Sequence, residues 1–478
     1  MQVYNTLTGS KEEFVPMHGK NVNMFVCGQT VYDDAHLGHA RTYISFDIVV
    51  RWLRHLGYKV NYIQNITDID DKIIARAKER GMDPIELARS YEQRFMEDME
   101  AIGVKKGVNS YPRSHDYINA IRDQIQLLLD RGFAYVLDGD VYYDVARFKD
   151  YTKLSGMKIE ELERHRIEPK EGKRNVYDFA LWKASRPGEP SWEVEVRSGG
   201  DVIKLAGRPG WHIEDTAITY SFFGPQYDIH GGASELIFPH HTNEIAQAEA
   251  AFDVKPFVRY WLHSGVLSIN GQKMSKSLKN FITIREALAR YPAETLRLFV
   301  CMTHYRKDVN YTDNLMRDAN KLMYYINQSI GILSNLPADE GKSGQELVLA
   351  VEQLKKEFAE AMNDDFNTPL ALMKLTAAMR KVRQFADANG GIDQSSREFA
   401  VGELSALGSL LGIINEGICK QALPEEAARM IKQRDELRRS KNFEEADKIR
   451  AEIESRHGIK IEDTEYGTVW YPSEAHFK

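Results

Sequence analysis

The chain reads as an α/β protein in three parts: a parallel-sheet domain over residues 1–312 with an insertion at roughly 115–206, an α-helical bundle over 313–420, and a small mixed unit over 424–478. Three observations predict this. Strand, loop, helix and strand follow one another between Asn21 and Ile66, the pattern of a βαβ unit. From Leu315 to Asn389 apolar residues recur at three- and four-residue spacing, as in a bundle. Past Pro424 a basic helical hairpin is followed by short strand-like pieces.

Asn21–Val26 is strand-like, and Cys27 and Gly28 stand at its end. A loop is expected from Gln29 to Ala40. Ile44, Phe46, Ile48, Val49, Trp52, Leu53 and Leu56 then fall at helical spacing, with Gly57 suited to the C-terminal cap. Lys59–Ile66 alternates as a strand. A parallel pair of this kind places a ligand site outside the carboxyl ends of its strands, beside Cys27. Helices are expected at Asp71–Gly81, Asp83–Gly103 and Asp116–Gly132, and a β-hairpin at Phe133–Val145 turning on Asp138-Gly139. Asp150–Ala206 is polar and belongs to the insertion. Regular α/β character returns from Trp211, with Tyr227–His230 and Trp261–His263 as strand ends. Helices then fill Leu315–Leu336, Gln345–Asn363 and Pro369–Asn389. The last unit carries Arg429, Lys432, Arg434, Arg438, Arg439, Lys441, Lys448 and Arg450 on its hairpin, then strands near Ile459–Ile461 and Thr468–Tyr471.

The length, 478 residues, fits about three domains. Hydrophobic residues make up 43 %, enough for ordinary cores, and the net charge of -7 argues against a uniformly basic nucleic-acid coat protein. Cys27, Cys301 and Cys419 are too few and too scattered for a disulfide framework, so a reducing compartment, the cytoplasm, is expected. Neither a signal peptide nor a transmembrane run is visible, and no membrane association is expected.

Two short elements carry nucleotide chemistry. His36-Leu37-Gly38-His39 stands between a strand end and a helix start, where free N–H groups and the helix dipole favour phosphate and Gly38 permits close approach. Taken alone, the same four residues read equally well as two capping histidines. Lys273-Met274-Ser275-Lys276-Ser277 follows the turn Asn270-Gly271; its lysines and hydroxyls suit a triphosphate, though alone it reads equally as an exposed charged loop. A third group, Cys27, His240 and Glu244, offers a thiolate, an imidazole and a carboxylate of the kind that bind zinc. His240 and Glu244 are spaced to share a helix face; His241 is expected to point elsewhere.

The first two elements, in this order, resemble the class I aminoacyl-tRNA synthetases. Phe25–Asp33, Asn65–Lys72, Gly207–Glu214, Asp228–Gly232 and Phe238–Glu244 resemble the cysteinyl-tRNA synthetase family, and the resemblance spans the chain. It implies a Rossmann-type catalytic domain, an anticodon-binding helical bundle and a C-terminal tRNA-binding unit. It also implies one zinc ion per chain in the amino-acid pocket. The ligands would be Cys27, His240, Glu244 and, where the family carries a cysteine, Asp215. One thiolate fewer makes the site harder. Cys27, Gly28, Thr67, Trp211 and His230 would line the cysteine pocket. Thr30, His36, Gly38, His39 and Lys276 would meet ATP with its Mg2+, and His36, His39, Lys273 and Lys276 would carry the catalysis. The expected reaction joins L-cysteine to tRNA(Cys) through cysteinyl-adenylate, in a monomer. Two rivals stand beside it: a ligase joining cysteine to an amino-sugar on this scaffold, and a non-catalytic tRNA-binding relative. The long tail past Asp313 argues against the first and intact His36, His39, Lys273 and Lys276 against the second.

Overall fold

A computed structural model describes all residues except 158–169, 275–279, 421, 465–466 and 474–478. The chain forms two compact units: Met1–Leu267 with Arg306–Asp308, and Ser268–Tyr305 with Val309–Lys478.

The first unit opens with a small antiparallel pair, β1 (Gln2–Asn5) and β2 (Ser10–Glu13). The βαβ unit follows as β3 (Asn21–Thr30), α1 (Leu37–His55) and β4 (Lys59–Thr67). Next come α2 (Asp71–Arg80), α3 (Pro84–Ala101) and α4 (Ile118–Asp130). The insertion is a five-stranded antiparallel sheet made of β5 (Ala134–Leu137), β6 (Asp140–Tyr143), β7 (Phe179–Ala184), β8 (Trp192–Ser198) and β9 (Asp201–Pro209), in the order β5-β6-β7-β9-β8. The β5–β6 hairpin turns on Asp138 and Gly139, both at positive φ, as expected for a tight turn. Then come α5 (Trp211–Phe223), β10 (Tyr227–Ala233), α6 (Thr242–Phe252) and β11 (Val258–Ser264).

The main sheet is parallel throughout, in the order β11-β10-β3-β4. The chain runs from β3 outward to β4, then returns to lay β10 on the other side of β3. The direction of winding therefore reverses between β3 and β10, and a crevice opens there at the carboxyl ends. Val26 and Phe46 of α1 both crowd Gly231 of β10 on one face, so the next residue, Cys27, turns to the other. The ladder bulges there: Val26 pairs with Gln64 and Gln29 with Ile66, so Cys27 and Gly28 together face Asn65 alone. A side chain at position 28 would meet the Asn65 carbonyl oxygen at 1.6 Å, so only glycine fits.

The second unit holds a three-stranded sheet of β12 (Leu267–Ile269), β13 (Gln272–Lys273) and β14 (Val309–Tyr311), with α7 (Ile284–Leu288) and α8 (Ala293–Cys301). Its helices are α9 (Asp313–Asn335), α10 (Gln345–Asn363), α11 (Thr368–Asn389), α12 (Gln394–Leu411) and the short α13 (Glu416–Lys420). The tail folds as α14 (Glu425–Arg439), α15 (Phe443–His457), β15 (Ile459–Thr464) and β16 (Gly467–Pro472), around Ala427, Ile453, Ile459, Ile461 and Trp470. Among the described residues no helix is long and apolar enough to cross a membrane.

One local expectation needs correction, and two regions gain detail. Helix α1 begins at Leu37 rather than Arg41, because His36 caps it. The polar stretch Asp150–Ala206, expected to belong to the insertion, holds β7, β8 and most of β9. Arg434, counted among the basic residues of the hairpin, is buried: only 1 % of its side chain is exposed, and it is bound to Asp435 and Asp463.

Candidate active site and metal-binding cluster

The crevice side of the sheet gathers the chemistry. Cys27 arrives on the bulge of β3 and His230 on β10. Asp215 sits in the second turn of α5, and His240 and Glu244 straddle the start of α6. One donor atom from each of Cys27, Asp215, His240 and Glu244 lies within 4.8 Å of the others, and all four residues are buried. His240 Nε2 stands 3.1 Å from Asp215 Oδ2 and 3.1 Å from Glu244 Oε1. Yet neither Glu244 oxygen accepts a hydrogen bond, with the residue 0 % exposed. A buried carboxylate without hydrogen bonds is costly unless a cation neutralises it. Thiolate, imidazole and carboxylate donors converging in this way fit a divalent metal.

Titration points the same way. Burial, reinforced by Asp215 and Glu244, pushes the Cys27 thiol well up. Burial and then Asp215 do the same to Glu244. A bound cation reverses the balance, because the like charges that oppose ionisation then share a counterion.

The surrounding residues orient the donors. Asn65 Nδ2 donates to Asp215 Oδ1 at 2.6 Å, leaving Oδ2 toward His240, and its own Oδ1 accepts from Gly28 N at 2.6 Å. His212 Nδ1 and His240 Nδ1 share a hydrogen bond of 2.9 Å, and Trp211 stacks on the His240 ring at 4.2 Å. With Nδ1 so engaged, Nε2 is the atom His240 presents to the cluster.

His241 departs from expectation. Its Nε2 is 3.1 Å from Cys27 Sγ rather than turned away. The chain is extended at Phe238 (φ -136°, ψ 133°) and kinks there ahead of α6, and both adjacent imidazoles, His240 and His241, are buried at the cluster. A second set of converging donors follows: Cys27, His230, His241 and Glu244. Sequence reasoning missed Asn65, His212 and His241 as participants. Asn65 and His212 stood inside motifs already singled out, but only packing reveals their partners.

The histidines of the first motif cap α1. His36 Nδ1 accepts from Gly38 N at 3.1 Å and His39 N at 3.4 Å, and His39 Nδ1 accepts from His36 N at 3.2 Å. The rings stack 3.8 Å apart. Burial lowers His36 to about 4 and His39 well below its ordinary value, so both are neutral near pH 7. A neutral ring accepting at Nδ1 carries its proton on Nε2.

Thr30 ends β3, and Thr67 ends β4, buried, its hydroxyl accepting from Asn65 Nδ2 at 3.3 Å. Thr30 and Trp211 border a cavity of about 220 Å³ shared with Tyr151, Lys183 and Phe238. Lys273 is exposed on β13 in the second unit. Ser275, Lys276 and Ser277 lie outside the described residues.

The tRNA synthetases class I (C) catalytic domain matches residues 13–321, and the DALR domain matches residues 357–415. The chain is 44 % identical to a cysteine–tRNA ligase of Thermococcus onnurineus and 46 % identical to that of Thermococcus kodakarensis, each over 98 % of both chains. The corresponding enzyme of Caldicellulosiruptor saccharolyticus is 42 % identical over 98 % of this chain and 99 % of its own. In fold, the chain is similar to methionyl-tRNA synthetase of Mycobacterium tuberculosis, with a TM-score of 0.58 at 15 % identity over 82 % and 90 % of the two chains. It is also similar to LeuRS of Agrobacterium radiobacter, with a TM-score of 0.59 at 10 % identity over 85 % of each. These full-length matches favour neither the amino-sugar ligase nor the non-catalytic rival. The chain belongs to the cysteine–tRNA ligase family of class I aminoacyl-tRNA synthetases.

Proposed function

We propose that the chain activates L-cysteine with ATP to cysteinyl-adenylate and transfers the acyl group to the terminal ribose of tRNA(Cys). The observation that carries this reading is the buried cluster Cys27, Asp215, His240 and Glu244 at the carboxyl end of β3. Those residues would hold one zinc ion, which supplies affinity for the substrate's sulfur and so separates cysteine from serine better than shape alone.

Cys27, Gly28, Thr67, Trp211 and His230 form the surroundings of the amino acid in this reading. Trp211 and Thr30, on one cavity wall, suit the amino-acid and ATP sides of one site. Neutral His36 and His39, each with its proton on Nε2, donate to phosphate oxygens as negative charge builds during attack of the carboxylate on the α-phosphate. Gly38 lets the nucleotide approach the cap. Lys273 and Lys276 supply positive charge to the triphosphate, with Mg2+ accompanying ATP. The enzyme works by positioning and charge stabilisation, with no covalent nucleophile of its own. The helices past Asp313 would read the anticodon, and the unit over 424–478 would contact tRNA, in a cytoplasmic monomer. The test is ATP–pyrophosphate exchange followed by tRNA charging: exchange that requires cysteine, and charging of tRNA(Cys), are expected. Exchange with no amino acid at all overturns the reading, and exchange without charging favours transfer to another acceptor.

A further inference from the structure

Cys27 Sγ is flanked by two imidazole nitrogens, His241 Nε2 at 3.1 Å and His230 Nε2 at 3.3 Å. A thiol could donate to one and accept from the other, but a metal-bound sulfur is a thiolate that can only accept. The far nitrogens of both rings are also engaged. His241 Nδ1 is 2.8 Å from His263 Nε2, and His263 Nδ1 is 2.8 Å from the Thr6 hydroxyl. His230 Nδ1 is 2.6 Å from the Tyr227 hydroxyl. Once sulfur accepts, one polarity runs through each chain: Thr6 donates to His263, His263 to His241 and His241 to Cys27, while Tyr227 donates to His230 and His230 to Cys27. Each relay ends on a hydroxyl, which can rotate to donate. Thr6 is itself fixed by a backbone hydrogen bond from its N–H to Trp261 O at 2.9 Å, and His230 is clamped by stacking on Trp261 at 4.4 Å.

We propose that Thr6 and Tyr227 are positioning residues for the metal-bound thiolate: their hydroxyls fix the tautomers of His263, His241 and His230 so that two N–H groups point at Cys27 Sγ. The two N–H···S bonds withdraw charge from the sulfur, in a cluster that already carries two carboxylates and only one protein thiolate. Neither hydroxyl meets the donor cluster directly; Thr6 acts through two histidines and Tyr227 through one. The inference rests on the reading of the cluster as a metal site.

The experiment loads the full-length protein with Co2+ in place of zinc and records the thiolate-to-cobalt charge-transfer band, with Co2+ affinity from chelator competition. Hydrogen bonds to the sulfur lower its lone-pair energy, so their loss moves the band to longer wavelength. Thr6→Val and Tyr227→Phe are each expected to shift the band that way and weaken Co2+ binding by about 10–100-fold, the usual effect of removing an outer partner. Thr6→Ser is expected to restore both. An unchanged band and affinity in both folded variants overturns the proposal. A shift in one variant alone overturns it for the other chain. Absence of any thiolate band in the unaltered protein instead overturns the metal reading itself, and this proposal with it.

Discussion

His212 and His240 face each other through their Nδ1 atoms at 2.9 Å, so a residue that touches no donor oxygen or sulfur of the cluster decides how one of its imidazoles is presented. His212→Phe keeps an aromatic ring of similar size and removes this bond. Metal affinity is expected to fall by about 10–100-fold, read by chelator competition. Equal affinity in the two proteins rules out the orienting role.

Asp215 offers a carboxylate oxygen to the donor cluster. Replacing it with cysteine softens the donor set, so Asp215→Cys is expected to raise zinc affinity by on the order of tenfold, about 1.4 kcal/mol. It should also lower the preference for Mn2+ relative to zinc, and Asp215→Ala should weaken both ions. Asn65 Nδ2 loses its 2.6 Å acceptor in either variant, which offsets part of the gain. Competition titrations with the two ions decide the matter; a cysteine variant with weaker zinc binding contradicts the account.

His36 holds the start of α1 as well as standing in the nucleotide motif. The two roles separate by substitution. His36→Ala removes the cap and is expected to cost about 0.5–2 kcal/mol of stability, measured by urea unfolding, together with pyrophosphate exchange. Asparagine caps helices well, so His36→Asn should keep the stability and still lose exchange by about 10²–10³-fold. Full exchange activity in the asparagine variant would confine His36 to capping.

The same residue gives a pH signature. Burial holds folded His36 at about 4, against an ordinary value of 6.5. The unfolded chain therefore takes up this proton first as pH falls. His36's share of stability is complete above about 6.5 and is lost progressively toward 4. Over that window the unaltered protein should lose stability more steeply than His36→Asn, by at most about 1.4 kcal/mol per pH unit. Parallel pH profiles of the unfolding free energy would remove His36 from the account.

Much of this site was legible before any coordinates. The βαβ order of β3, α1 and β4 follows from apolar spacing alone, and that order locates the crevice. The pairing of His240 with Glu244 follows from helical spacing and holds at 3.1 Å. What failed did so for physical reasons. His241 follows a kink at Phe238 that residue type does not announce. In β8 the inward Val194 and Val196 alternate with outward Glu193, Glu195 and Arg197, a real strand signal hidden by the charge density around it. Arg434 looked like its basic neighbours, because a buried ion pair is a fact of tertiary packing, with Asp463 far along the chain. His263 lies far from Cys27 in sequence, and no spacing rule connects it or Thr6 to the sulfur.

The bulge at Cys27–Gly28 makes the cluster a matter of arithmetic. Two residues of β3 span the distance that one residue spans on β4. Delete Gly28, and the ladder closes up, with Cys27 alone opposite Asn65. The sheet would look healthier by any count of its pairings. Yet Asn65 Oδ1 would lose the Gly28 N–H that holds it at 2.6 Å, and with it the fixed amide that grips Asp215 Oδ1. An irregularity that costs the sheet a little regularity is what anchors the amide that orients Asp215.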